Sequence, residues 1–548
     1  MSEDDDTATK KPSQAKATGL VSVAILFSRV LGLVREIVFS GIFGVSAFTD
    51  AFAVAFRTPN MLRDLFAEGA LSTAFVATFS KKMKLEGDAS AWQLARKMAT
   101  LVACFMAVVV LLGVLLAPYI IQVLMPDWEA EQVAYTASLA RVMYPFIFIV
   151  SLSALVMGML NAKGRFFIPA MASSFFNIGS IIGGLLLAYA VDPVYFSDIA
   201  NRSPEKALYG FAIGTLIGGF CQLAVQSPSL WRAGFRYRPD FGWRDSGVKK
   251  VLTLMWPAII AGSAVQVNVL LNSMFASFLM DGSVTWLERA FRLMQLPLGV
   301  FGVAVGMVTL PAVSRAAAEG ITPEVGGLLS KGLRLVFLLT LPSAVGLIVL
   351  AEPIISLIYE RGKFTGVDSA MAGAALQTYG LGLVFYAGIK VLQPAFYAID
   401  KRFVPMVVSF CAIGINVALN CLWIFVLDFG ERMDGHKFLS FSTSVGAVVN
   451  FGVLYIAMRR FAGHLQTGRL LMTLLKLGVA SALLGGVCWA GQGYLMAGWD
   501  GFGFLKRMAT LLPTIGVAGG VFFVVTLVLK VEETKDFLAL VKRRVGRR

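Results

Sequence analysis

Four arginines stand inside two long apolar runs near the start of the chain. Arg29 and Arg35 belong to SRVLGLVRE, and Arg57 and Arg63 to TDAFAVAFRTPNMLRDLFAEG. In each run the two are six residues apart, about 9 Å along a helix axis. A guanidinium is planar and permanently charged, and its fork of donors matches the oxygens of a carboxylate or a phosphate. Within apolar sequence it needs water or a counter-charge. Such residues usually line a bundle interior or a wet cavity and mark the path of a substrate or ion. The candidate chemistry is therefore recognition of an anion.

The competing reading is a set of structural ion pairs, Arg35 with Glu36 or Asp50. Arg29 and Glu36 share a helix face, being seven residues apart, and Arg35 projects about 120° away from Arg29. The set holds more arginines than nearby acids, so pairing alone leaves it positive. Further charges at or near depth are Asp64, Glu68, Arg141, Glu288, Arg289, Arg292 and Lys390. Arg141, Glu288 and Arg289 fall near the ends of their runs and read as interfacial. Lys390 is well inside its run and joins the candidate site.

These residues need a membrane scaffold to hold them. Of the 548 residues 57% are hydrophobic and 15% charged, with a mean hydropathy of +0.75; a soluble domain is about a quarter charged. The chain reads as an all-α polytopic membrane protein of about 14 spans. The formal net charge of +15 sits in alternate loops, as the positive-inside rule requires of cytoplasmic segments, so it does not point to nucleic acid. Both termini are expected in the cytoplasm.

Residues 1–17 read as a disordered cytoplasmic tail without the features of a cleaved signal peptide. Residues 18–228 hold the first six spans, 229–250 a basic cytoplasmic linker, and 251–460 spans seven to twelve. Residues 461–530 hold the last two spans, and 531–548 form a basic cytoplasmic tail. The five cysteines lie in apolar runs without CxxC spacing, as packing residues do. His436 and His464 are 28 residues apart, and no metal site or cofactor is expected. Abundant mid-span glycine reads first as close helix packing, with bending during transport as the alternative.

The two halves repeat at one offset. Ala55-Phe56-Arg57 matches Ala290-Phe291-Arg292, Pro118 matches Pro353, and Ile178-Gly179 matches Ile413-Gly414, each 235 residues apart. A unit of six spans makes parallel repeats about an axis along the membrane normal, with a site expected between the halves near the midplane. Two pseudo-symmetric six-helix lobes then carry two extra C-terminal helices.

SRVLGLVRE, TDAFAVAFRTPNMLRDLFAEGALSTAFV, WLERAFRLMQLPLGVFGVAVG and YERGKFT closely resemble the MurJ/MviN family of the multidrug/oligosaccharidyl-lipid/polysaccharide exporter superfamily. The resemblance implies a flippase of the bacterial inner membrane. It would carry lipid II, the undecaprenyl-diphosphate-linked peptidoglycan precursor, to the outer leaflet, with the two extra helices edging a groove for the lipid tail. It implies substrate contacts at Arg29, Arg35, Arg63 and Arg292, with Arg57, Asn60 and Lys390 alongside, and Glu36, Asp50 and Glu68 as charge partners. Cell-wall synthesis proteins are possible partners, and a monomer is expected. Some members have a sodium site with a carboxylate in the seventh span. This chain offers Gln266, Asn268 and Asn272 there, which speaks against sodium coupling.

Guanidinium forks bind the oxygens of a diphosphate in bidentate fashion, so residues and resemblance agree on the anion. An exporter of other lipid-linked glycans or of drugs would share the fold, although a drug exporter should favour acids over arginines. A polyisoprenyl-phosphate enzyme finds no HExxH or Walker A pattern to work with. A non-transporting scaffold has little reason to bury so many arginines.

Overall fold

The computed structural model describes residues 14–65, 71–318, 320, 323–429, 434–462, 465–535 and 538. Glu68 of the expected site, His464, residues 1–13 of the N-terminal tail and nearly all of the tail beyond residue 535 lie outside them. Eleven helices among the described residues are long and apolar enough to cross a membrane.

The chain divides into two compact units. The first runs to Phe43 and takes Ala51–Val123 and Glu129–Gln266; the second takes Gly44–Asp50, Leu124–Trp128 and everything from Val267 onward.

The first unit is built on α1 (Gln14–Phe43), α2 (Ala47–Leu62), α3 (Ser72–Glu86), α4 (Asp88–Leu124), α5 (Ala130–Met143), α6 (Pro145–Ala162), α7 (Phe167–Val191), α8 (Pro193–Ser197) and α9 (Glu205–Arg232). α10 (Ser246–Ala276) contributes its first part. α7 and α9 meet backbone to backbone because both carry glycine at the contact. A Cβ on Gly214 would lie 2.2 Å from the Gly184 Cα, and one on Gly210 would lie 2.4 Å from the Leu187 carbonyl oxygen. The packing reading of these glycines therefore suffices for this pair.

α7 also holds α1: the Asn177 Nδ2 donates to the Ser28 carbonyl at 3.2 Å, one residue before Arg29. The C-terminal end of α1 is fixed by packed aromatics, with Phe39 5.1 Å from Phe43 and 5.2 Å from Phe211 between ring centres. Beside them the Tyr195 hydroxyl donates to the Ile42 carbonyl. The irregular segment after α9 is tied to α4, where Arg96 Nε donates to the Arg236 carbonyl at 2.9 Å and Lys97 Nζ reaches Asp245 at 2.9 Å.

The second unit comprises the rest of α10, α11 (Ser283–Pro297), α12 (Val303–Ala318), α13 (Pro323–Val349), α14 (Ala351–Tyr359), α15 (Gly366–Ala398), α16 (Phe403–Cys421), α17 (His436–Phe461), α18 (Thr467–Tyr494) and α19 (Phe504–Val528). α15 begins at a reciprocal cap in which Thr365 and Asp368 bond each other's backbone amides. The Asp368 carboxylate also accepts the Trp286 indole N–H at 3.0 Å and so joins α15 to α11. A buried ion pair between Arg334 and Glu533 fastens the segment after α19 to α13.

α11 starts at Gly282, whose φ of +94° suits glycine alone and whose Cβ would meet Val45 Cγ1 at 2.6 Å. Its open N-terminal amides are satisfied from outside the helix. The Asp50 carboxylate accepts the Gly282 N–H at 2.7 Å, the Thr285 N–H at 2.8 Å and the Thr285 hydroxyl at 2.6 Å.

The repeat is visible in the backbone. Residues 63–65, following α2, form a π turn, and so do Leu298–Gly302, following α11. These turns begin 235 residues apart. Asp50 and Thr285 have the same separation.

Two substitutions test these joints. Gly214→Val should prevent close approach of α7 and α9 and leave little monodisperse protein on size exclusion in detergent. Asp50→Ala strands three buried donors, each costing about 1–3 kcal/mol, and should lower the unfolding temperature clearly more than Asp50→Asn, which still accepts.

Candidate functional site

The first unit carries the arginine cluster on α1, α2 and the π turn after α2. Arg29 is exposed on α1, and among the described residues it makes no hydrogen bond or ion pair. Six residues on, Arg35 donates from Nη2 to Glu36 Oε1 at 3.0 Å, and its guanidinium lies 5.2 Å from the centre of the Phe176 ring on α7. Glu36 is 8% exposed, so this pair is largely withdrawn from solvent. Arg57 and Asn60 are half-buried on α2.

Arg63 sits where α2 opens into the π turn. Its Nε and Nη2 both donate to Asp64 Oδ1, at 3.2 and 2.8 Å. The other Asp64 oxygen accepts from Gln266 Nε2 on α10 at 3.4 Å. π turns recur at functional sites because the extra residue redirects side chains from the regular helix surface.

The expected charge partners divide. Glu36 does hold an arginine. Asp50 does not: its carboxylate caps α11, and among the described residues it contacts no arginine. A carboxylate one helical turn from a helix start is as easily spent on backbone amides as on a guanidinium. Glu68 lies outside the described residues. The acid that sequence reasoning left out of the site is Asp64. Its place next to Arg63 in the run was the available signal, since neighbouring residues also pair at Arg35 and Glu36 on α1.

With Asp50 committed elsewhere, Arg29, Arg35, Arg57 and Arg63 stand against only Glu36 and Asp64 on the described parts of these segments. The cluster is net positive, as anion binding requires.

In the second unit Arg292 is exposed on α11, shortly before the π turn Leu298–Gly302, and Lys390 is exposed on α15. α12 packs closely on α15 beside Lys390: a Cβ on Gly306 would lie 2.7 Å from the Lys390 carbonyl oxygen.

The same unit contains a neutral polar network. Asn272 and Asn416 each donate to the Thr443 hydroxyl at 3.3 Å. Asn420 donates to the side-chain oxygens of Asn272, at 3.1 Å, and Asn416, at 3.2 Å. Thr443 in turn donates to the Leu439 carbonyl at 2.9 Å. The donor set holds three amides and a hydroxyl and no carboxylate, and most of its oxygens are already engaged. It does not fit a sodium site built on a carboxylate, and no group of His, Cys, Asp or Glu among the described residues is arranged for a metal.

Comparison with known proteins bears on the chain as a whole. The family model described as lipid II flippase MurJ matches residues 39–510. A probable lipid II flippase MurJ of Vibrio cholerae is 33% identical over 532 residues, covering 95% of this chain and 97% of the relative. The lipid II flippase MurJ of Burkholderia cenocepacia is 34% identical over 446 residues, covering 80% and 83%. A solved structure of lipid II flippase MurJ in an inward closed conformation superposes with a TM-score of 0.71 at 25% identity, over 92% of this chain and 98% of that one. An inward-facing multidrug transporter of the MATE family is alike in fold, with a TM-score of 0.61 at 15% identity over 81% and 98%. The chain is a multi-pass protein of the bacterial inner membrane, and it belongs to the MurJ lipid II flippase family.

Proposed function

We propose that this chain carries lipid II from the cytoplasmic to the outer leaflet by alternating access, as a monomer of fourteen spans with both termini in the cytoplasm. Arg29, Arg35, Arg63 and Arg292 hold the diphosphate, with Arg57, Asn60 and Lys390 alongside. Glu36 and Asp64 keep Arg35 and Arg63 in place between substrates. α18 and α19 edge the groove for the undecaprenyl tail.

The observation that carries this reading is Arg29. An arginine midway along an apolar helix, exposed and with no protein partner among the described residues, calls for a mobile anion. Drugs exported as cations would be repelled by the same charge. The bulky polar head of lipid II needs a wet passage, and its tail can stay in lipid. Translocation is then a matter of binding and release, with no bond made or broken.

Arg29→Ala and Arg292→Ala should each lower lipid II flipping in proteoliposomes by at least about tenfold, the loss of one charge-assisted contact. The amount and unfolding temperature of the protein should stay near wild type. Wild-type rates in both variants would refute the assignment. The neutral Asn272–Asn416–Asn420–Thr443 network leads to a second expectation: flipping rates equal in sodium and potassium buffers of the same ionic strength. A strict requirement for sodium would contradict it.

A further inference from the structure

A second cationic recess lies in the second unit, far along the sequence from the arginines of α1 and α2. It is a cavity of about 310 Å³ between the end of α14 and the connection from α18 to α19. Glu360, Arg361, Phe502, Phe504 and Arg507 are among its lining residues. The YERGKF stretch supplies one wall, and the Trp499–Gly501 turn leads into the other.

Arg507 is the built part of the recess. It is 8% exposed. Its Nη1 donates to Ser356 Oγ at 2.7 Å, and its Nη2 pairs with Glu360 Oε1 at 2.8 Å. The Trp499 ring stacks on it at 5.4 Å, and the Trp499 indole N–H donates to the same Ser356 hydroxyl at 2.9 Å. Its Nε–H is buried with no acceptor. Glu360 is turned to other donors: its Oε1 pairs with Arg507 Nη2 and its Oε2 accepts from Ser369 at 2.9 Å. Burial alone would raise the Glu360 carboxyl, but hydrogen bonds from Ser356, Arg507 and Ser369 hold it below its usual range.

Three further features carry positive charge to the same place. Arg361 is exposed, lies 5.4 Å from the Phe504 ring centre, and has no carboxylate at ion-pair distance among the described residues. Lys506 sits 3.7 Å from the Phe502 ring centre. α19 begins here after Gly503, with no side chain capping its first amides, so the positive end of its dipole opens beside Phe504. Phe504 of the lining and Leu505 beside it in the chain are exposed apolar side chains and form its apolar rim.

We propose that this recess binds a phosphate group, held by Arg361 and the first amides of α19 beside the fixed charge of Arg507, with the apolar rim against acyl chains when that phosphate belongs to a lipid headgroup. Under the orientation proposed above, the recess faces the outer leaflet. A reversed orientation would move the site to the inner leaflet without abolishing binding, so the two readings fail separately.

The test uses the full chain purified in a non-ionic detergent, with tryptophan emission as the readout and Trp499→Phe to assign the signal. The titrants are short-chain phosphatidylglycerol, inorganic phosphate and a short-chain diacylglycerol. Saturable binding of phosphatidylglycerol, about tenfold weaker in Arg361→Gln, supports a lipid phosphate. Saturation by inorganic phosphate alone, with the same loss in Arg361→Gln, supports the site with free phosphate as its ligand. Arg361 is exposed, so this variant should fold and flip lipid II at the wild-type rate. Equal affinity in wild type and Arg361→Gln, equal binding of diacylglycerol, or no saturable signal with any titrant overturns the proposal.

Discussion

A guanidinium cannot be left bare in an apolar surrounding. That constraint shapes the first unit. Arg35 is met by Glu36 and the face of Phe176, and Arg63 by Asp64, itself steadied by Gln266. Arg29 has no such partner among the described residues. Burying an ion without compensation costs several kcal/mol, so the helix must keep that position accessible to water or to a counter-ion. Under the proposed function a lipid-linked diphosphate would supply the counter-ion and be carried in doing so, with the paired arginines held by their acids between substrates.

The helices that present these groups are set by features away from the charges. Glycines let α7 and α9 approach until their backbones touch, and Asn177 of α7 then fixes α1 one residue before Arg29. In the second unit, Asp50 satisfies the start of α11, the helix that carries Arg292. A single carboxylate thus does for α11 what a serine or aspartate of its own would do, in a helix preceded by glycine.

Much of this was legible in the sequence. The all-helical membrane class follows from hydropathy, and the repeat from the AFR pair. The arginine cluster follows from charge inside apolar runs. What was not legible depended on contacts between distant parts of the chain. Asp64 is held beside Arg63 by Gln266, 202 residues further along the chain. Asp50 looked like a partner for arginine because its proximity to the run was visible, whereas the open amides at Gly282 lie 232 residues away. The Arg507 recess needed two loops separated by more than a hundred residues, and no spacing rule joins them.

The π turns at residues 63–65 and Leu298–Gly302 have a geometric corollary. Each holds one more residue than the α-helical turn it replaces. Passing from one form to the other advances the register by a single residue, turning whatever follows by about 100° about the helix axis and moving it about 1.5 Å along it. Such turns begin at Arg63 and at Leu298, which follows Arg292 by six residues, and another begins at Leu422. A change of register at any of them would re-aim the helix that follows, with no hinge loop required.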